Sequence, residues 1–165
     1  MIRKASIEDI PAIRAMADVV FRDTYREILS PEQMEYMMDW MYSEESLRKQ
    51  MQERGDVYFV EDGCGYSSVR PDGLAADGRP RYHLEKLYVM PSSRTTGLGR
   101  SLFDTALAEA RSMAGGPCLV ELNVNRNNPA VTFYEHMGMH RDRSGDFHIG
   151  RGFYMNDYIM AVDMP

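Results

Sequence analysis

Arg94-Thr-Thr-Gly-Leu-Gly99-Arg100-Ser101 stands between an apolar segment that closes at Val89 and a run with Leu102, Phe103, Ala106, Leu107 and Ala110 at helical spacing. A strand, a glycine-bearing turn and a helix, in that order, leave the first amides of the helix without partners. An anion is held at such a place by N–H donors and by the helix dipole, and the expected anion is a phosphate group. Two better-known glycine loops fail on detail. A P-loop ends in Gly-Lys-Ser or Gly-Lys-Thr, whereas Arg100 and Ser101 follow Gly99. A dinucleotide fingerprint has a third glycine three residues after Gly99, where Leu102 stands. What remains is R-x-x-G-x-G.

The 165 residues, 44% hydrophobic and 27% charged, suit one compact domain over 1–165. No apolar run is long enough to span a bilayer, and Met-Ile-Arg-Lys-Ala-Ser is not a secretion signal, so the expectation is a cytoplasmic protein with no membrane partner. Cys64 and Cys118 are too few and too distant for a zinc cluster, and Gly138 breaks the one helical pairing of histidines, His136 with His140. No metal is expected. The net charge of −6 with no basic stripe argues against nucleic acid. Residues 1–56 carry 12 acids and 8 bases, so −4 of the −6 lies there, a field that draws cations.

Along the chain, Ile2 to Ala5 reads as a strand and Ser6-x-x-Asp9 as a capping box for a helix. Ser30-Pro31-Glu32-Gln33 has the hydroxyl, the first-position proline and the reciprocal glutamine of a second cap. The helix behind it bears Met34, Met37, Met38 and Met41, a soft apolar surface suited to core packing, to a substrate or to the second subunit of a homodimer. A further helix is expected over 44–53. Strands follow over 56–61 and 65–70, a mobile loop over 71–80 and a strand over 81–90. The Arg94 loop and its helix come next, then a strand over 119–124, a helix capped by Asn128 and Pro129, and strands near 139–143 and 153–162.

In that last helix, Asn127-Asn-Pro-Ala-Val-Thr-Phe-Tyr134 places Asn127 and Tyr134 two turns apart on one side, with small Ala130 between them. Together with R-x-x-G-x-G, this N-x-x-A-x-x-x-Y helix and its closing Gly138 resemble the GNAT superfamily of acetyl-CoA-dependent N-acetyltransferases. The element order matches that family over essentially the whole length. The resemblance implies an α/β (α+β) fold: a mixed, mostly antiparallel sheet of about seven strands, flanked by helices, with splayed central strands.

The resemblance also implies the chemistry. Acetyl-CoA would be the co-substrate, its pyrophosphate on the amides from Thr95 through Thr96, Gly97, Leu98 and Gly99 to Arg100, with Arg94 or Arg100 adding charge. Leu87 and Val89 would offer backbone groups to the pantetheine arm, and Asn127 and Ala130 would border it. A small-molecule amine would attack the thioester directly. Glu85, taken to share a strand face with Leu87 and Val89, is the expected base or else a structural ion pair, with His83 the runner-up. Tyr134 would protonate the departing thiolate or orient it. Phe21-Arg-Asp-Thr-Tyr25, the Ser30 cap and Gly152-Phe-Tyr-Met-Asn-Asp-Tyr-Ile-Met160 look similar to a branch that acetylates polyamines such as spermidine. A non-catalytic CoA sensor, and an acetyltransferase for peptides, lysines or aminoglycosides, are the alternatives.

Overall fold

In a computed structural model describing residues 1–165, seven strands form one sheet in the order β1-β2-β3-β4-β5-β7-β6. They are β1 (Arg3–Lys4), β2 (Val57–Glu61), β3 (Gly65–Leu74), β4 (Pro80–Val89), β5 (Cys118–Asn125), β6 (His140–Gly150) and β7 (Phe153–Met164). Every neighbouring pair is antiparallel except β4 with β5. The expected seven-stranded, mostly antiparallel sheet is therefore present.

Helices cover both faces. On one side lie α1 (Ile10–Tyr25), α2 (Pro31–Tyr42) and α3 (Glu44–Lys49), which continues as a π turn to Arg54 and stops at Gly55 with φ +83°. Their apolar residues, Ile13, Ala17 and Phe21 among them, pack with Tyr58 and Tyr66 of β2 and β3. On the other side α4 (Leu98–Ala114) buries Phe103, Ala106 and Leu107 against Leu84, Val120 and Leu122. The short α5 (Ala130–His136) adds Val131 and Tyr134 to the same core.

Local signals hold where the partner is close in sequence. The Ser6–Asp9 box forms both of its bonds, although it caps a short 3₁₀ turn ahead of α1. Ser30 accepts from the Gln33 amide at 3.1 Å, but Gln33 does not return the bond: its Nε2 donates 2.7 Å to the Tyr154 carbonyl on β7. The segment 71–80 departs most from expectation. It is not a loop throughout, because β3 runs to Leu74 and pairs Pro71 with Tyr82 and Leu74 with Pro80, leaving a turn closed by Ala75 N–H to Arg79 O at 2.8 Å. The final two strands likewise run longer than their apolar patterns suggest.

Candidate active site

Parallel pairing between β4 and β5 is confined to Arg81 through His83, opposite Leu119 through Glu121, yet both strands run on, to Val89 and Asn125. The strands therefore part at mid-sheet. A cleft of about 560 Å³ opens between them, with Leu87 and Val89 on one wall, Leu122 and Val124 on the other, and Ala130 and Tyr134 of α5 at its side. Beyond His83 the edge of β4 facing β5 has no strand partner, so its backbone is free to bond an extended amide-bearing ligand.

The cleft ends at the amino terminus of α4. Gly97 precedes that helix at φ +85°, a conformation that disfavours a side chain, with open space where one would lie. The first backbone bond of the helix runs from Ser101 N–H to Gly97 O at 3.1 Å, so the amides of Leu98, Gly99 and Arg100 have no intrahelical carbonyl. Thr95 also has positive φ, +69°, and Thr96 Oγ1 ties the turn by donating to Ser93 O at 2.6 Å. Gly99 lines the cleft, and a Cβ there would sit 3.6 Å from Phe133. Arg94 lines it too, held by Asp23 of α1 at 3.0 Å. That pair is half exposed and weak, so a phosphate can replace the carboxylate at little cost. Unfilled donors, a cationic rim and an unpaired strand edge fit a long ligand with a phosphate at one end and amides along its length.

The side chain of Leu98 turns inward to pack with Phe59 and Leu102 while its amide stays in the cradle. One of the sequence-predicted residues lies elsewhere. Asn127 is exposed, its N–H bonded to Asn125 Oδ1 at 2.9 Å; Asn128 takes the place beside the cleft, accepting from the Ala130 amide at 2.9 Å. Tyr134 is buried among Phe103 and Phe133, with its ring in the cleft wall. Burial lifts its phenol well above the usual tyrosine range, so the hydroxyl stays protonated throughout the physiological range.

The sheet register corrects the placing of Glu85. Ser68 pairs with Lys86 but Val69 with Leu84, so one residue of β3 spans two of β4 and Glu85 is the extra one, a β-bulge. Leu87 and Val89 therefore pack toward α4 with Phe59 and Leu102, while Glu85 meets Arg70, Arg54 and His83. Burial alone would raise the Glu85 carboxyl, but His83 and the two guanidiniums outweigh it and hold the group far below the usual carboxylate range. Between them Glu85 is a fixed anion that retains a proton poorly.

His83 is equally committed. Asn123 on β5 donates its Nδ2 to Asp157 Oδ2 at 3.2 Å, which leaves Asn123 Oδ1 to accept from His83 Nε2 at 2.9 Å. His83 Nδ1 lies 3.0 Å from Glu85 Oε1, close enough for an ion pair though misaligned for a hydrogen bond. Burial lowers the proton affinity of this imidazole; Glu85 and Asn123 overcome that and raise it above 6.5. Both ring nitrogens thus face acceptors, which favours the imidazolium.

Asp157, absent from the sequence-predicted set, completes the chain Glu85–His83–Asn123–Asp157. It is 2% exposed, and while Oδ2 accepts from Asn123, Oδ1 accepts from no group of the protein. Desolvation raises its carboxyl above the ordinary aspartate value. The signal for it was available: Asp157 is a carboxylate in an otherwise apolar strand whose Ile159, Met160 and Ala161 are all buried, and a carboxylate so placed needs a reason. Asp157 lines a second cavity of about 400 Å³ under α2, which borders Tyr25, Glu85, Lys86, Tyr88 and Asn123 in common with the cleft.

Residues 25–159 match the family model for the acetyltransferase (GNAT) domain. An uncharacterised N-acetyltransferase from the pepI 3′ region of Lactobacillus delbrueckii subsp. lactis is 27% identical over 162 residues, 89% of this chain and 88% of that protein. Among solved structures, the PaiA N-acetyltransferase of Thermoplasma acidophilum in complex with coenzyme A superposes with a TM-score of 0.73 at 24% identity, covering 99% of this chain and 98% of that one. A GCN5-related N-acetyltransferase from Rhodopseudomonas palustris gives 0.77 at 18% identity, covering 99% and 95%. At these identities the structural likeness speaks to the fold.

Proposed function

The chain belongs to the acetyltransferase (GNAT) domain family, and on that premise we propose that it is an acyltransferase moving an acetyl group from acetyl-CoA to a primary amine by direct attack. The observation that carries the proposal is the meeting of two cavities at the parted strands: one ends in a cradle of free amides, the other holds an unpaired carboxylate oxygen. Acetyl-CoA supplies the activated thioester. On this reading the turn from Thr95 to Arg100 receives its diphosphate, Arg94 exchanges Asp23 for a phosphate, and Leu87 and Val89 border the pantetheine arm.

The remaining work falls to side chains. Tyr134, kept protonated by its apolar surroundings, stands in the cleft to donate a proton to a departing thiolate. An amine of pKa ~10 must lose a proton before it attacks. Glu85 is neutralised by arginines and both ring nitrogens of His83 face acceptors, so the base role expected of either passes to Asp157, whose Oδ1 is free and whose proton affinity is raised. Glu85 and His83 then orient Asn123, and through it Asp157.

A polyamine is the finer expectation for the acceptor. Its support is the acid-rich first third together with a solved spermidine N-acetyltransferase mutant from Vibrio cholerae that shares the fold at 19% identity and a TM-score of 0.63. An Arabidopsis thaliana protein solved with the bisubstrate analogue CoA-Ac-MVNAL shares it too, at 15% identity and 0.66, so the fold leaves the acceptor to the pocket. Several of the early acids stand in surface ion pairs: Asp18 and Glu35 with Arg22, Glu44 with Arg48, and Glu45 with Lys49. The test of transfer is acetyl-CoA turnover with a panel of amines, read by thiol release and product mass. Amine-dependent release with an acetylated product is expected. Thiol release no faster with amine than without it overturns the enzyme reading in favour of a CoA-binding sensor.

A further inference from the structure

We propose that the cavity under α2 selects a monocationic primary amine with an apolar, aryl-sized body, its ammonium held by Asp157. This rests on the acetyl-transfer reading above and adds the acceptor class.

Charge is the first argument. Two carboxylates line the cavity, and Glu85 is taken up by Arg70, Arg54 and His83, so Asp157 is the one anion with an oxygen to offer. The same wall carries Arg54, Arg70 and Lys86. The lysine is buried with its Nζ over the Tyr42 and Tyr58 rings and donates to Gln50 Oε1 at 2.7 Å, with no carboxylate in contact. Arg54 and Arg70 are paired with Asp56, Asp72 and Glu85, which leaves Lys86 as the uncompensated charge on that wall; a second ammonium along the acceptor would meet it at a cost of several kcal/mol for like charges in a desolvated site. The cavity admits one positive charge and resists more.

The walls supply the second argument. Three large aromatic side chains stand out as exposed, Trp40 at 46%, Phe147 at 37% and Tyr154 at 48%, and all three line this cavity. Phe147 and Tyr154 come from the neighbouring strands β6 and β7 and Trp40 from the distant helix α2, so it is the tertiary fold that brings α2 and this hairpin to one mouth. Met37, Met41 and Met155 continue the surface inward. Thioether and aromatic walls adapt to a flat apolar body. About 400 Å³ lies within the range of small-molecule sites.

The probes are 2-phenylethylamine and spermidine with the full chain and saturating acetyl-CoA. Phenylethylamine is expected to show a kcat/KM at least tenfold above spermidine. Tyr154→Ala and Trp40→Ala, at half-exposed positions that tolerate truncation, should each lower the phenylethylamine value five- to tenfold and the spermidine value less than twofold. Asp157→Asn should lower the phenylethylamine value by 10²-fold or more with acetyl-CoA affinity unchanged. Spermidine equal to or better than phenylethylamine, or equal losses for both amines in the aromatic variants, overturns the proposal. If neither amine is acetylated, the transfer reading stands or falls on the wider amine panel, and calorimetry on the CoA-loaded chain decides the pocket separately. Heat of phenylethylamine binding, lost in Asp157→Asn and reduced in Tyr154→Ala, supports the site; no heat overturns it.

Discussion

His83 Nδ1 lies 3.0 Å from Glu85 Oε1, and the two side chains share a pocket because the bulge at Glu85 turns that residue away from Leu87. An anion fixed by Arg70 and Arg54 thereby acts on the imidazole. Glu85→Gln removes that anion while keeping its volume. Only Asn123 then opposes burial and the nearby Arg70, so the His83 midpoint should fall relative to wild type, read from the imidazole proton shifts against pH. The pair's stabilisation follows from the signs. Glu85 contributes above its unfolded value of ~4.5 and loses that as pH falls, whereas His83 contributes below ~6.5 and loses that as pH rises through its raised folded value. The variant should therefore lack the wild type's loss of stability below pH ~4.5, and an unmoved His83 midpoint would refute the coupling.

Much of the geometry of the proposed donor cleft was legible because its determinants are local. The Arg94–Gly99 turn, the cap at Asn128 and the apolar face of α4 each rest on residues within two turns of one another. The acceptor side was not, since its residues meet through strand register. A one-residue bulge decides which face Glu85 takes, and the partners Arg54 and Arg70 come from segments whose pairing no local pattern announces. Asn127 was named over Asn128 because two helical turns were counted back from Tyr134. The helix begins only at Ala130, so helical spacing does not extend to Asn127. The strand hidden in 71–80 shows the same limit, since Pro and Gly marked a break that tertiary pairing overrides.

Tyr134→Phe isolates the phenol. The wild-type hydroxyl has no partner raising or lowering its proton affinity by hydrogen bond, so the chain loses little when it is removed, and Tm should shift by no more than a degree or two. Turnover should fall about 10²-fold with the KM for acetyl-CoA within threefold, the pattern of a group acting on the leaving atom. Unimpaired kcat in thiol-release assays would remove Tyr134 from the acid role.

Gly97→Ala tests the anion cradle. A Cβ at Gly97 meets nothing within 4 Å, so any effect arises from its φ of +85° and from repositioned amides. Left-handed backbone costs an alanine about 1–2 kcal/mol, and the variant should melt several degrees lower. Gly116→Ala, equally open but without positive φ, is the control and should melt within a degree of wild type. Acetyl-CoA affinity by calorimetry should drop at least tenfold for Gly97→Ala and hold for Gly116→Ala. Equal affinities would place the diphosphate elsewhere.

Lys86 gives the last test, through stability against pH. Burial lowers its pKa from 10.5 to about 8, with Glu85 and Asp56 only partly offsetting the loss of water. The unfolded chain therefore binds more protons than the folded one between pH 8 and 10.5, and by linkage stability attributable to Lys86 rises with pH across that window. Below pH 8 the buried ammonium carries its full penalty, on the order of 3 kcal/mol for a shift of this size. Lys86→Met keeps length and apolar bulk but leaves Gln50 and Tyr58 to bond each other. In urea titrations the variant should be at least as stable as wild type at pH 7, and the difference should shrink steadily as pH rises from 8 to 10. A parallel pair of curves over that range would show that Lys86 titrates as an ordinary solvated lysine, and the cationic wall assigned to the acceptor cavity would lose its one buried member.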